Sequence, residues 1–342
     1  MTREPGSETL SAADLEALVV RALVASRTAP GNARSVARAL TQAEIDGQKG
    51  HGLSRVPSYA AQAKAGKVDG FATPTASQLR PGTLMIDVRH GFVFPAVDLV
   101  VDMLPDLARQ AGLAAAGFVR SHHFGVVGRH VERLAEAGLV ALAFANTPKA
   151  IAAWGGRRQL YGTNPIAFAC PHQGQAPIVV DLALSQVARG TILTAAQRGE
   201  PVPTSWATDA DGKPTSDAKA ALKGALQPIG AAKGAALALM VEILAAGLTG
   251  ATLSQGASSF FDTEGPPPGV GQLVIGIDPQ ALGGAEALAQ RVGALAAAIE
   301  ADGPARLPGS RRLGLRERAA RKGIVLDARL LTEVRAIAEA GS

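Results

Sequence analysis

Residues 44–59 read Glu44-Ile-Asp46-Gly47-Gln-Lys-Gly50-His51-Gly52-Leu-Ser54-Arg55-Val-Pro57-Ser-Tyr59. An imidazole stands between two glycines, and an arginine follows four residues later. His51 can give or take a proton near neutral pH, because a free imidazole titrates at about 6.5. Gly50 and Gly52 are expected to let the backbone turn tightly and bring a ligand close. Ser54 is the expected N-cap of a helix with Pro57 in its first turn. Arg55 then sits at a helix N-terminus, where a forked donor and free N–H groups both attract an anion. A proton carrier beside a carboxylate clamp suits a small organic acid. The blander account is a loop histidine and a solvated arginine.

Three further groups of small polar residues flank short apolar runs. Ser121-His122-His123 follows one run and opens a helix, Gly162-Thr163-Asn164-Pro165 precedes one, and Asp181-Leu182-Ala183 follows another. Such positions line ligand crevices in open α/β sheets. Singly each reads as a cap, a turn or a satisfied core histidine. Together they suggest a cofactor held without the usual dinucleotide fingerprint. That fingerprint, Gly-x-Gly-x-x-Gly, is absent, and its nearest miss at Gly50-His51-Gly52 follows a helix, not a strand. No Walker loop, His-Glu-x-x-His or Gly-x-Ser-x-Gly occurs. Cys170 is the single cysteine, which excludes an intrachain disulfide and a multi-cysteine zinc site. His122, His123 and His130 remain as metal candidates, but adjacent histidines on a forming helix point different ways, so no metal is expected.

The elements that must position these groups change character along the chain. Residues 11–27, 32–46 and 54–65 read as helices, the first opened by Ser11 and Asp14 as a capping box. From about residue 82 the pattern is α/β. Strands are expected at residues 83–88, 114–119, 139–145, 163–170, 177–181 and 273–277. Helices are expected at 97–110 with a kink near Pro105, from the 121–125 segment to 137, and at 185–197, 231–248 and 281–301. Two more, at 313–321 and 327–340, close the chain. Residues 262–269, rich in proline, cannot be helical. This gives a helical segment over residues 1–75, an α/β core over 76–300, and a helical segment over 301–342 expected to pack with the first.

With 342 residues and 47% hydrophobic content, the chain can bury a large core. Its net charge of +5 favours anionic ligands. Nucleic acid is disfavoured, since basic residues are spread out and aromatics make up only 4%. The one dense basic run, residues 306–322, reads as a solvated face. The longest apolar helix candidate, residues 235–248, is interrupted by Glu242 and is shorter than the roughly 20 residues a bilayer needs. The N-terminus has no apolar run. A soluble, cytoplasmic protein without a membrane partner is expected.

The ordered motifs resemble the malate/L-lactate dehydrogenase family of the second type, with malate, sulfolactate, ureidoglycolate and diketogulonate dehydrogenases and cyclic ketimine reductases. The resemblance is carried by Glu44-x-Asp46-Gly47, His51-Gly52-x-x-Arg55-x-x-x-Tyr59, Ser121-His-His-Phe-Gly125 and Gly155-Gly156. It continues through Gly162-Thr-Asn-Pro-Ile-Ala-Phe, Asp181-Leu-Ala-x-Ser185, Val187-Ala-Arg-Gly190, Lys233-Gly234 and Leu307-Pro-Gly309-x-Arg311. It implies an α/β fold with a non-Rossmann mixed-sheet NAD(P)-binding core, NAD(P)-dependent reduction of a 2-oxo or imino acid, and a homodimer. By the same resemblance His51 is the acid/base, Arg55 holds the substrate carboxylate, and Thr163 and Arg189 are substrate-side. His122, His123, Phe124, Gly125, Asp181, Leu182, Ala183 and Lys233 match cofactor contacts, as does the turn Pro308, Gly309, Ser310 and Arg311.

Two departures select among the substrates. Many relatives carry serine where this chain has Gly50, and in the ketimine reductases that serine pairs with an aspartate where this chain has Thr191. Losing both relay members favours a carbonyl over a cyclic imine. The basic residues favour a dianion, sulfolactate or malate, and Ser310-Arg311-Arg312 favours NADP over NAD. The alternatives are a cyclic ketimine reductase and a non-catalytic metabolite-binding scaffold.

Overall fold

The computed structural model describes residues 6–340; residues 1–5, part of the N-terminal stretch read above, and 341–342 lie outside it. Strand β1 (Ser7–Leu10) leads into α1 (Ala12–Val24). Ser11 caps α1: its Oγ accepts from the Asp14 amide at 3.1 Å and donates to the Asp14 carboxylate at 2.7 Å. Helix α2 (Pro30–Ile45) ends before Gly47, whose φ of +75° suits only glycine well. Helix α3 (Val56–Ala65) stops at Gly66, also left-handed.

Between α2 and α3 the chain departs from expectation. Two 3-10 turns, Lys49–His51 and Leu53–Arg55, replace the first turn expected of the helix. Arg55, not Ser54, is the N-cap residue, and Ser54 Oγ donates instead to Lys49 O at 2.7 Å. The buried Glu44 carboxylate takes over the capping task, accepting from the Leu53 amide at 2.7 Å. Gly52 is needed for that packing: its φ is −101°, and a Cβ there would collide with the Glu44 side chain. A Cβ on Gly50 would meet nothing, so only Gly52 has a packing reason within the protein itself.

The core follows in order: β2 (Thr75–Arg80), β3 (Thr83–Asp87), α4 (Phe94–Ala111), β4 (Leu113–Ser121), α5 (Val127–Glu136), β5 (Val140–Ala145), and the small hairpin β6 (Ile151–Ala152) and β7 (Gln159–Tyr161). Then come β8 (Ile166–Cys170), β9 (Ile178–Leu182), α6 (Arg189–Arg198), α7 (Ala218–Lys223), α8 (Ala232–Glu242), β10 (Val270–Ile277) and α9 (Ala285–Glu300). The chain ends with α10 (Ser310–Lys322), β11 (Ile324–Asp327) and α11 (Ala328–Glu339).

Seven strands form one mixed sheet in the order β2-β3-β4-β10-β5-β8-β9. Only β3 and β4 pair in parallel; every other neighbour is antiparallel. The late strand β10 inserts between β4 and β5, pairing Gln272 with Phe118 on one side and Ala145 on the other. Alternation along the strands divides the interior. Val274 and Ala143 join a core with α1, α4, α5 and α11, while Leu273 and Phe144 join a second core with α6 and α8. Strand β1 pairs antiparallel with β11, tying the two ends of the chain together.

Some expected boundaries move for local reasons. Strand β8 starts at Ile166, because Thr163 gives its amide to Thr147 Oγ1 and its carbonyl to Leu184, and Asn164 has a φ of +38°. Helix α6 starts at Arg189, not at Ser185, whose Oγ donates to Val187 O at 2.7 Å. Pro105 lies inside α4, which runs on through it. The apolar helix α8 passes into a π turn, Ile243–Gly247.

Candidate active site

His51 lies at the end of a 3-10 turn, its amide donating to Gln48 O at 2.8 Å. Its ring stacks on His123 at 5.2 Å and 10°, with Nδ1 buried and without a hydrogen-bond partner. Burial, then the Arg55 charge, push its pKa down to about 4. Arg55 gives Nε to Gly50 O at 2.8 Å and rests its guanidinium on the Phe261 ring at 4.8 Å. No other hydrogen bond of that guanidinium is made within the described residues.

Helix α3 organises what surrounds this pair. Arg55, Tyr59 and Gln62 follow at i, i+4 and i+7, so they share one face. Burial holds the Tyr59 phenol well above its usual pKa, so it stays protonated, and its hydroxyl shares a hydrogen bond of 2.6 Å with His123 Nδ1. Gln62 Oε1 accepts from His122 Nε2 at 2.8 Å, while its amide donates to Phe260 O and Asp262 O at 2.8 and 3.1 Å. The fully buried Lys67 ammonium adds bonds to Asp262 O, Asp262 Oδ1 and Glu264 O at 3.1, 2.9 and 2.6 Å. The segment carrying Phe260 and Phe261 is thus clamped against α3.

The second wall is the segment between β4 and α5. His130 Nε2 donates to Phe124 O at 2.7 Å, which orients that segment from behind. Burial pushes His122 down to about 3 and His130 to about 4, and His123 well below its usual range. All three are neutral at pH 7, and each is committed to a separate partner, so they do not converge on one point. Asp181 at the end of β9 accepts from the Gly128 amide at 2.8 Å. Gly128 is required there, since a Cβ would lie 2.9 Å from Asp181. Burial raises the Asp181 pKa against the opposing pull of that bond and of Arg312.

These walls enclose a cleft of about 400 Å³. Of the residues expected at the site, His51, Arg55, Thr163 and Arg189 line it. His123, Phe124, Gly125, Asp181 and Ala183 line it as well. The rest stand apart. His122 is behind the wall, bonded to Gln62, and Leu182 turns an exposed side chain away. Lys233 is exposed at the start of α8. The Pro308-Gly309-Ser310-Arg311 turn lies against β9, where a Cβ on Gly309 would come within 3.0 Å of Val179 O. Arg311 is exposed, whereas Arg312 is drawn to Glu132 at 3.2 Å.

The basic run is not simply a solvated face. Arg316 bonds both Asp46 and Glu132, at 2.7–2.8 Å, and these carboxylates are 3% and 1% exposed. Burial would raise the Glu132 pKa, but Arg316 and Arg129 outweigh it and hold it at about 2. Asp46 precedes the His51 turn and Glu132 lies in α5, so α10 braces both walls.

Sequence reasoning missed Lys149 and the Phe260-Phe261 pair, all of which line the cleft. Lys149 follows a strand and the turn-forming Asn146-Thr147-Pro148, the same kind of signal that marked Asp181. The Phe pair was legible as two adjacent rings in a chain holding only 9 phenylalanines.

Residues 10–335 match the family described as malate/L-lactate dehydrogenase. The chain is 47% identical over 332 residues to a (2R)-3-sulfolactate dehydrogenase (NADP(+)) of Chromohalobacter salexigens, covering 97% of this chain and 98% of that one. It is 38% identical to a Δ1-pyrroline-2-carboxylate reductase of Pseudomonas fluorescens, covering 96% and 98%. The solved Δ1-piperideine-2-carboxylate reductase of Pseudomonas syringae pv. tomato superposes with a TM-score of 0.90 at 38% identity, covering 96% of this chain and 99% of that one.

Proposed function

The chain belongs to the malate/L-lactate dehydrogenase family and is an oxidoreductase; on that premise we propose that it interconverts a small dianionic 2-oxo acid and its 2-hydroxy acid with NADP. The observation that carries the dianion is the charge of the cleft. Three cationic side chains line it, Arg55, Lys149 and Arg189, against one carboxylate, Asp181, which is already bonded to the Gly128 amide. A cyclic imino acid brings one carboxylate, whereas a 3-sulfo or 3-carboxy 2-oxo acid brings two anions. The (2R)-3-sulfolactate dehydrogenase relative supports the sulfonate member of that class.

NADPH supplies the hydride when bound. The residues suited to hold it are His123, Phe124, Gly125, Asp181 and Ala183, which line the cleft beside the start of α5. Arg311 is the candidate for a 2′-phosphate, since Arg312 is committed to Glu132. The non-Rossmann reading of this core is supported by a sheet with a single parallel pair. Arg55 clamps the substrate carboxylate, which also offsets the charge that lowers the His51 pKa. His51 then delivers a proton to the carbonyl oxygen as it becomes an alcohol. Residues 1–75 and 301–342 act as one catalytic lobe on the 76–300 core, a reading supported by the pairing of β1 with β11.

The ketimine reductase reading draws on the two reductase relatives. Against it, Gly50 and Thr191 provide neither member of the serine–aspartate relay. His51→Ala tests the proposal: kcat should fall roughly 10²–10⁴-fold with NADPH binding retained. An unchanged kcat refutes the role given to His51.

The working unit is a homodimer. Leu239, Met240 and Ile243 of α8 and its π turn are 43%, 39% and 55% exposed on an element apolar all round. Such an element is normally covered. Sedimentation should give about twice the 34.8 kDa chain mass; a monomer mass at micromolar concentration refutes it.

A further inference from the structure

The proposed reaction needs two anion readers, and the three cations of the cleft are not equivalent. Arg55 adjoins His51 on the loop that ends in α3, so it must take the carboxylate next to the reacting carbonyl if His51 is to reach that oxygen. Arg189 gives Nη2 to Leu222 O at 3.1 Å, which turns part of its fork away to the helix behind it. Lys149 makes no ion pair and no side-chain hydrogen bond within the described residues.

Its backbone, by contrast, is held from several sides. The Lys149 amide donates to Ser254 O at 3.0 Å, and the next amide, of Ala150, donates to Tyr161 O at 2.7 Å. Ser254 is itself fully buried, its amide and Oγ donating to the Glu242 carboxylate at 2.6 and 2.5 Å. Asn164 Nδ2 donates to the same carboxylate at 2.9 Å. Asn164 follows Thr163, whose amide is bonded to Thr147 Oγ1 at 2.9 Å and whose hydroxyl lies 3.3 Å from that oxygen. One buried network therefore fixes the root of the Lys149 side chain and the Thr147–Thr163 hydroxyl pair together. What it leaves free is the ammonium. Lys149 is exposed and lines the cleft, so its charge is available to an anion that a ligand brings there.

We propose that Lys149 is the specificity residue that reads the second anionic group, at C3, of a 2-oxo acid whose carboxylate is held by Arg55. The proposal rests on the 2-oxo acid reading above. An ammonium is a compact point charge with three donors and imposes no planar fork. It therefore accepts either a tetrahedral sulfonate or a planar carboxylate.

The test compares the full chain with Lys149→Met and Lys149→Arg, using NADPH and each of sulfopyruvate, oxaloacetate and pyruvate. In Lys149→Met, kcat/KM for the dianions should fall at least about tenfold further than for pyruvate, mostly through KM, as expected for a lost charged contact. Lys149→Arg should keep most of the preference. Sulfopyruvate and oxaloacetate falling unequally would identify which anion the ammonium suits. An equal change on pyruvate and the dianions, or no change at all, overturns the role of Lys149. Failure of the wild-type chain to reduce any of the three acids overturns the underlying 2-oxo acid reading instead, so the two failures are distinguishable.

Discussion

Burial and the Arg55 charge together press the His51 imidazole toward its neutral form, with a pKa of about 4. A neutral imidazole is the base needed to oxidise a hydroxy acid, but reduction needs the protonated form. The sign of the pH dependence follows. For the 2-oxo acid, kcat/KM should fall by up to about tenfold per unit as pH rises above the His51 pKa of the cofactor complex. For the 2-hydroxy acid it should rise through that pKa and then level. The residual activity of His51→Ala should lose this slope; an identical slope in variant and wild type would place the titrating group elsewhere. The cleft positions of His51 and Arg55 were legible from residue type and spacing, and those of Thr163 and Asp181 from the resemblance to the family. Lys149 was not, because its significance is the lack of a partner, and only the fold decides which carboxylates come near. The packing reason for Gly52 was hidden in the same way: a Cβ there would meet Glu44, whose carboxylate holds the Leu53 amide nine residues on.

At the scale of elements, the site depends on α3 and on a brace behind it. One face of α3 provides Tyr59 and Gln62, and the 3-10 turn that leads into it sets Arg55 one turn before Tyr59. The brace is Arg316 of α10, which bridges Asp46 and Glu132 from the two walls of the cleft. Breaking a buried ion pair leaves an uncompensated charge and costs about 3–5 kcal/mol. Arg316→Met should cost stability near the lower end of that range, because Arg129 and Arg312 still reach Glu132. Urea denaturation checks this, and a loss under about 1 kcal/mol would show that α10 does not brace the walls. The helix was legible, but this role was not: seven basic residues in a short run look solvated until two of them find buried carboxylates. The expected Ser54 cap failed in the same way, since a distant carboxylate satisfied the Leu53 amide first.

The whole molecule adds what local patterns do not carry. Most strands and helices were readable from apolar runs, but nothing in β10 announces that it will lie between β4 and β5. Strand β2 was missed because five of its six residues are exposed, leaving no alternating apolar face. That sheet order brings the β4–α5 segment and the end of β9 to one cleft, and the clamped Phe260-Phe261 segment closes it. The substrate proposed for the assembled cleft is a dianionic 2-oxo acid, not a cyclic imine. The most direct measurement is the rate of NADPH oxidation with sulfopyruvate, oxaloacetate, pyruvate and Δ1-piperideine-2-carboxylate offered separately. Fastest turnover of sulfopyruvate or oxaloacetate is the predicted result. A higher kcat/KM for the cyclic imine would contradict it, and would mean that Gly50 and Thr191 do not deprive this site of imine chemistry.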